Sequence, residues 1–440
     1  MKNNIYKYLV ILAIVLFAGS LGVYLAGMSA LFPPLLIAGF VCLSFSFAGF
    51  PKLKNFSYTM WIFTAVAASM SYPEYFLGVG DFKFSKLITP LLQIIMFGMG
   101  SHMSVKDFAG VMKMPKGVIV GLVSHYSIMP LVGLGMISIF AFPPEIAAGV
   151  ILIAATPSGM ASNVMAYLAK ANVALAITVT AFSTAVSPFM TPFIFKLING
   201  DAVQADTLGM ILHIIEVVVF PIIAGLSFNL FFHDNLSRKG RNQQLMAFFG
   251  IILLKNLIIG PIEISLHPET FSVMSVINTF LMETLIFLVA PSIVGYLVKN
   301  YTRTTEAQLG KLLSLLSQLG IVIIIVVITA AGRDSLLSVG LILLLVMIMQ
   351  NCLGFIFGYS LCRFVMRMPE QDCRAVTMEV GMQNGGMASS IANQMGMIES
   401  VGLAPAIYGP LQNITGSILA TYWKNKPIKG QEEDQTESQE

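Results

Sequence analysis

The sequence predicts an all-α polytopic membrane protein with about fourteen transmembrane helices. Three observations predict it. Of its residues, 56% are hydrophobic and only 11% are charged, whereas soluble domains run near about a quarter charged. The apolar residues form runs long enough to cross a bilayer, which takes roughly 20 residues. Lysine and arginine gather in alternate connections between those runs, as they do where connections alternate between the two sides of a membrane.

The first run, 7–27, follows MKNNIYK. It lacks a small-residue cleavage site and a second run, 31–50, follows at once, so it reads as a retained helix and not a signal peptide. Further spans are expected at 57–73, 87–102, 117–140, 146–169, 172–197, 207–232, 243–262, 271–299, 311–331, 335–365, 374–398 and 403–423. Charge tests this register. Lys52 and Lys54, then Lys106, Lys113 and Lys116, then Lys170, fall in connections of one parity. Arg238, Lys239 and Arg241, then Lys299, Arg303 and Lys311, then Arg363, Arg367 and Arg374, continue it. Lys2 and Lys7 lie at the amino terminus, and Lys424, Lys426 and Lys429 follow the last span. Connections of the other parity hold only Lys83, Lys86, Lys196 and Arg333. Removing one span would scramble the alternation, so both ends are expected in the cytoplasm. The acidic ending GQEEDQTESQE cannot bury a core and is expected to be a disordered tail.

Two polar segments interrupt this pattern. TPSGMASN runs from Thr156 to Asn163, and EVGMQN from Glu379 to Asn384. Pro157 removes a backbone donor and Gly159 weakens the helix, freeing nearby carbonyls. Ser162 and Asn163 add side-chain oxygens. Alone, this segment reads as a kinked helix whose polar groups bond its neighbours. Glu379 changes the weighing, because a carboxylate within a span points to function. Gly381, Gly385 and Gly386 loosen the helix around it, and Gln383 and Asn384 supply amide oxygens. One carboxylate, several neutral oxygens and unwound backbone together suit a monovalent cation, which favours clusters of oxygen ligands. One such segment in each half of the chain is what a secondary transporter with broken helices presents.

No enzyme is expected. His-Glu-x-x-His, a Walker loop and Gly-x-Ser-x-Gly are all missing from the sequence. Cys42, Cys352, Cys362 and Cys373 have no metal-ligand spacing and read as small apolar fillers.

At this point the residues resemble a family. VILIAATPSGMASNVMAYLAKANVALAITVTAFSTAVSPFMTP, IIMFGMG (Ile94 to Gly100), EVGMQN and QNITGSILATYW (Gln412 to Trp423) resemble the bile acid:sodium symporter family. The matches keep family order across about 57–232 and 311–423. The resemblance implies ten core helices in two inverted five-helix repeats. It also implies a panel domain moving against a core domain in which two broken helices cross. One sodium site would use Ser162, Asn163, Thr180 and Glu379. A second would use Glu379, Gln383, the carbonyls of Val380 and Met382, and His125. The organic anion would meet Asn384, Gln412 and Asn413 in the cleft between the domains. Three positions depart from the family. His125 stands where Gln is usual, Ala176 where a hydroxyl is expected one turn before Thr180, and Ser158 with Gly159 where Gly-Gly is usual. The first two departures imply weaker or altered ion sites. Related arsenite exporters carry a Cys near Thr156, which makes arsenite a poor candidate here.

The resemblance also divides the chain. Residues 1–56 hold two extra helices and 57–200 the first repeat. Residues 201–233 begin the second repeat, 234–310 are an inserted helix pair, 311–423 complete the repeat, and 424–440 form the tail. Within the insert, Lys255 and Glu283 lie in apolar runs, where they either pair or snorkel. His213 and Glu216 are three apart and share a face. Trp61 and Trp423 lie near span ends, as interfacial anchors do.

The expected activity is sodium-coupled symport of an organic anion (bile-acid-like, pantoate-like or a keto acid) by alternating access. The expected location is the inner membrane. A proton-coupled carrier or exporter on the same scaffold, and a membrane ligand sensor that does not transport, remain open alternatives. Sodium is the coupling ion. No other cofactor and no nucleic acid are expected, and lipid is the surrounding partner.

Overall fold

The computed structural model describes residues 2–28, 30–50, 53–200, 202–232, 237–266, 272–302 and 305–426. Residues 427–440, most of the expected tail, lie outside the described residues, as do Lys52, Asp201, Pro268 and Arg303.

The described chain is almost wholly helical. Its helices are α1 Lys2–Leu25, α2 Phe32–Gly49, α3 Lys54–Ser71, α4 Glu74–Leu77, α5 Ile88–His102, α6 Val105–Lys113, α7 Pro115–Ile139, α8 Pro144–Ala155, α9 Ala161–Leu168 and α10 Val173–Asn199. They continue as α11 Thr207–Ile214, α12 Phe220–Phe232, α13 Arg238–Leu266, α14 Val273–Thr284, α15 Ala290–Tyr301, α16 Glu306–Ala331, α17 Arg333–Ser360, α18 Glu370–Gly381, α19 Gly385–Gln394 and α20 Leu403–Lys424. Single π-helical turns, Ile215–Val219 and Leu285–Val289, join α11 to α12 and α14 to α15, so each pair is one long rod. A two-stranded hairpin, Gly78–Val79 with Phe82–Lys83, follows α4.

Ten helices among the described residues are long and apolar enough to cross a membrane. The chain is therefore a multi-pass membrane protein. The other four expected spans coincide with helices that are shorter, more polar or interrupted: α3, α8 with α9, α18 with α19, and α20. The hairpin and the short helices α4 and α6 carry no apolar run and were not expected from the sequence.

Two compact units divide the chain. The larger comprises Met1–Ile88, Val111–Ile211 and Ile321–Glu440. Within it α1, α2 and α3 pack in sequence, and α7, α8, α10, α17, α18 and α20 pack around one another. Every residue of α8 from Ala148 to Ala155 is buried, so this helix is surrounded by protein. The smaller unit comprises Thr89–Gly110 and Leu212–Gly320. There α12 packs against α15, and α13 against α14. Gly100 and Gly225 let α5 and α12 approach backbone to backbone, since a Cβ on Gly225 would meet the Phe97 carbonyl and one on Gly100 that of Ile222. Such close approach through small residues is how helices associate within lipid.

In this unit Lys255 Nζ lies 2.6 Å from Glu283 Oε1. Of the two alternatives, pairing is the one observed across the insert. Asn256 Nδ2 donates to Glu283 Oε2 at 2.6 Å, and Glu216, on the π-helical turn, lies 3.7 Å from Lys255. The sequence offered no sign that Glu216 joins this pair. Trp61 is partly exposed, but Trp423 is buried. Trp423 stacks beside Tyr359 and covers the Arg374 guanidinium, so it is not a lipid-facing anchor.

Candidate functional site where two helix breaks pair

The site lies entirely within the larger unit, where α8 stops at Ala155 and α9 resumes at Ala161, and where α18 stops at Gly381 and α19 resumes at Gly385. The two breaks meet. Ser158 and Gln383 form one antiparallel bridge, with Gly159 N donating to Met382 O at 3.0 Å and Asn384 N to Pro157 O at 2.8 Å. Each break thus satisfies backbone groups of the other. Gly159 is required for this approach, because a Cβ there would lie 2.7 Å from the Gln383 carbonyl oxygen.

The remaining freed carbonyls have side-chain donors, as buried backbone groups must. Thr191 Oγ1 donates to Ala155 O at 2.8 Å. Gly381 O receives Asn351 Nδ2 and Tyr408 Oη, each at 2.7 Å. Gln412 pairs with Gln383 in both directions: Gln383 N donates to Gln412 Oε1 at 2.6 Å, and Gln412 Nε2 to Gln383 O at 2.9 Å. His125 reaches both breaks, with Nδ1 2.9 Å from Glu379 O and Nε2 2.8 Å from Thr156 O. A neutral imidazole has one N–H and an imidazolium two, so only the latter donates to both carbonyls at once.

Glu379, fully buried on the last turn of α18, is the centre of the site. Ser162 Oγ donates to Oε1 at 2.6 Å and Thr180 Oγ1 to Oε2 at 2.7 Å. Asn163 Oδ1 lies 3.3 Å from Thr180 Oγ1. Ser158 Oγ, one of the departures from the family pattern, donates to Ser162 Oγ at 3.1 Å, so it adds a hydroxyl to the cluster. Ala176 is buried on α10 and adds no polar atom. Among the described residues no cation pairs with Glu379. Arg374, on the same helix, is occupied by Glu370 at 2.9 Å and by the carbonyls of Ala169, Trp423 and Lys426. No cluster of three His, Cys, Asp or Glu side chains occurs among the described residues, so nothing resembles a transition-metal centre.

Ser162, Asn163, Thr180, Glu379, Val380, Met382, Gln383 and His125 are thus brought together. Gln383 Nε2 donates to Val380 O at 2.7 Å, and Gln383 Oε1 is buried without a hydrogen-bond partner. Asn384 caps α19, its Oδ1 accepting from Met387 N at 3.0 Å. Gln412 and Asn413 are adjacent on α20, the first buried and the second half-buried. Sequence reasoning missed Asn351, Tyr408 and Thr191. A buried amide in the middle of an apolar span was the available signal for Asn351.

Residues 89–264 match the sodium bile acid symporter family. Among curated proteins, the chain is 29% identical over 384 residues to the "Uncharacterized sodium-dependent transporter YocS" of Bacillus subtilis, covering 86% of this chain and 95% of that one. It is 25% identical over 390 residues to the "Probable sodium/metabolite cotransporter BASS1, chloroplastic" of Arabidopsis thaliana, covering 86% of this chain and 80% of that one. By the family match, these relatives and the motifs above, the chain is similar to the sodium bile acid symporter family.

Proposed function

We propose that this protein is a sodium-coupled symporter that carries a small organic anion across the inner membrane by alternating access, and that it is not an enzyme. The observation that carries this reading is Glu379. It is a buried carboxylate with no cationic partner among the described residues, ringed by hydroxyl, amide and carbonyl oxygens at the meeting of two helix breaks. A buried carboxylate is costly unless it is neutralised. Sodium bound by Glu379, Ser162, Asn163 and Thr180 supplies that charge. A second sodium would sit against Glu379, the carbonyls of Val380 and Met382, and Gln383, with His125 beside it. The unpartnered Gln383 Oε1 supports an additional ligand on that side.

The substrate anion is placed beside Asn384, Gln412 and Asn413. There the amino-terminal end of α19 carries partial positive charge. Around this crossing we place a ten-helix core of two inverted five-helix repeats, in panel and core domains, within a fourteen-span chain whose ends are both cytoplasmic. The helices of 1–56 and 234–310 are additions, and 57–200 with 201–233 and 311–423 are the repeats.

The test is uptake into vesicles containing the purified protein, with candidate anions first chosen by their effect on thermal stability with and without sodium. Uptake is expected to require an inward sodium gradient and to be abolished by Glu379→Gln. Uptake that is independent of sodium, or unaltered in this variant, would refute symport through this site.

A further inference from the structure

We propose that Gln412 is a positioning residue for sodium, acting through the backbone of Gln383 without touching the ion. The proposal rests on the sodium-site reading above and assigns a role to a side chain that this reading places only near the substrate. Its basis is how the second break is held. In an extended segment, successive residues turn their N–H and C=O groups to opposite edges. Met382 and Asn384 use one edge, which pairs with Pro157 and Gly159. Gln383 uses the other edge, where the only backbone donor among the described residues is the nearby Gly385 N–H, 3.1 Å from Gln383 O. The Gln412 carboxamide lies there and makes both hydrogen bonds that a third strand would make, at 2.6 and 2.9 Å. Gln412 is buried and sits at the centre of a face of α20. Tyr408, four residues before it, and Thr415, three after it, share that face. Tyr408 holds Gly381 O at 2.7 Å, and Thr415 Oγ1 donates to Asn351 Oδ1, whose amide nitrogen holds the same carbonyl. The far edge of the break, from Gly381 to Gln383, is therefore set by side chains of α20 and by Asn351.

The consequence is geometric. The orientation of the Gln383 peptide groups decides where the Met382 carbonyl and the Gln383 side chain point. Both belong to the proposed ion site. Without Gln412, the Gln383 N–H would be buried and unpaired and its C=O would keep only the Gly385 N–H at 3.1 Å, so the segment would turn to find other partners. Outer groups that orient ligands commonly change metal affinity about 10- to 100-fold when removed. Gln412 is also followed directly by Asn413. Displacement of α20 by an anion at Asn413 would thus be felt at Gln383, which offers a physical link between substrate and ion.

The experiment uses the full-length purified protein in detergent, with sodium alone as the probe. Thermal stabilisation is titrated with sodium chloride against choline chloride at constant ionic strength. Gln412→Met preserves bulk and removes both hydrogen bonds. It is expected to raise the half-saturating sodium concentration about tenfold or more. A purely structural role would instead lower the sodium-free midpoint and leave half-saturation unchanged, and that result overturns the proposal. Glu379→Gln is run beside it. If Glu379→Gln is flat and Gln412→Met keeps the wild-type half-saturation, the positioning role fails and the sodium site stands. If Glu379→Gln responds as the wild type does, the sodium site itself fails and the positioning role falls with it. Should Gln412→Met not accumulate, Tyr408→Phe decides, because it removes only one of two donors to Gly381 O. A rise in half-saturation supports the proposal and an unchanged value overturns it.

Discussion

Ser158 and Gln383 face each other across the single antiparallel bridge that joins the two helix breaks. The bridge makes each break the other's hydrogen-bonding partner, and at Gly159 the approach leaves no room for a Cβ. Gly159→Ala puts a Cβ 2.7 Å from the Gln383 carbonyl oxygen, so one strand must move. The expected cost is about 1–3 kcal/mol of stability, as for other overpacked sites. A thermal midpoint equal to the wild type would show that the breaks are looser than their geometry implies.

The proposed sodium site ranks its ligands by charge. Glu379→Gln removes the one carboxylate at the two helix breaks among the described residues and is expected to abolish the sodium response. Asn163→Ala and Ser162→Ala each remove one neutral oxygen and are expected to weaken sodium binding while leaving a measurable response. Sodium titrations of purified variants check this order. An Asn163→Ala variant as inert as Glu379→Gln would mean that charge does not dominate.

His125 ties the carbonyls of Glu379 and Thr156, one from each break. His125→Ala removes the side chain that contacts both buried carbonyls, and at least one of them loses its donor. Each such loss costs about 1–3 kcal/mol, so a clear drop in thermal midpoint is expected even without sodium. His125→Gln retains an amide donor, and its loss should be smaller. Equal midpoints for the two variants would deny His125 a bridging role.

The Lys255–Glu283 contact of 2.6 Å is within a largely buried pair. Removing one partner of a buried pair costs about 3–5 kcal/mol, because the other charge is left unpaired. Lys255→Met and Glu283→Gln should therefore each destabilise the protein. The double variant should cost less than the sum of the two. Additive effects would mean that the pair contributes no coupling, despite its short distance.

The proposed fourteen-span arrangement predicts which connections face outward. Single cysteines near Asp201 and Pro268, both outside the described residues, should react with an impermeant thiol reagent applied to intact cells. One near Lys239 should react only after the membrane is opened. Labelling of Lys239 from outside would invert the proposed topology.

Much of this protein could be read locally. A helix satisfies its own backbone, so apolar length alone marks where one crosses lipid, and every expected run coincides with a helix or a broken pair of helices. The breaks were legible for the same reason. Pro157, Gly159, Gly381 and Gly385 disturb the ladder where they stand, and Glu379 among apolar residues announces a buried charge. What the breaks would bond to was not legible. Gly159 and Met382 lie in distant parts of the chain, and no local pattern says that their backbones pair. The same holds for Gln412, whose carboxamide completes the Gln383 edge, and for Asn351 and Tyr408 on Gly381. Unwound backbone must find its partners elsewhere in the chain, so only the tertiary packing of α7, α10, α17 and α20 around the breaks decides which groups those partners are.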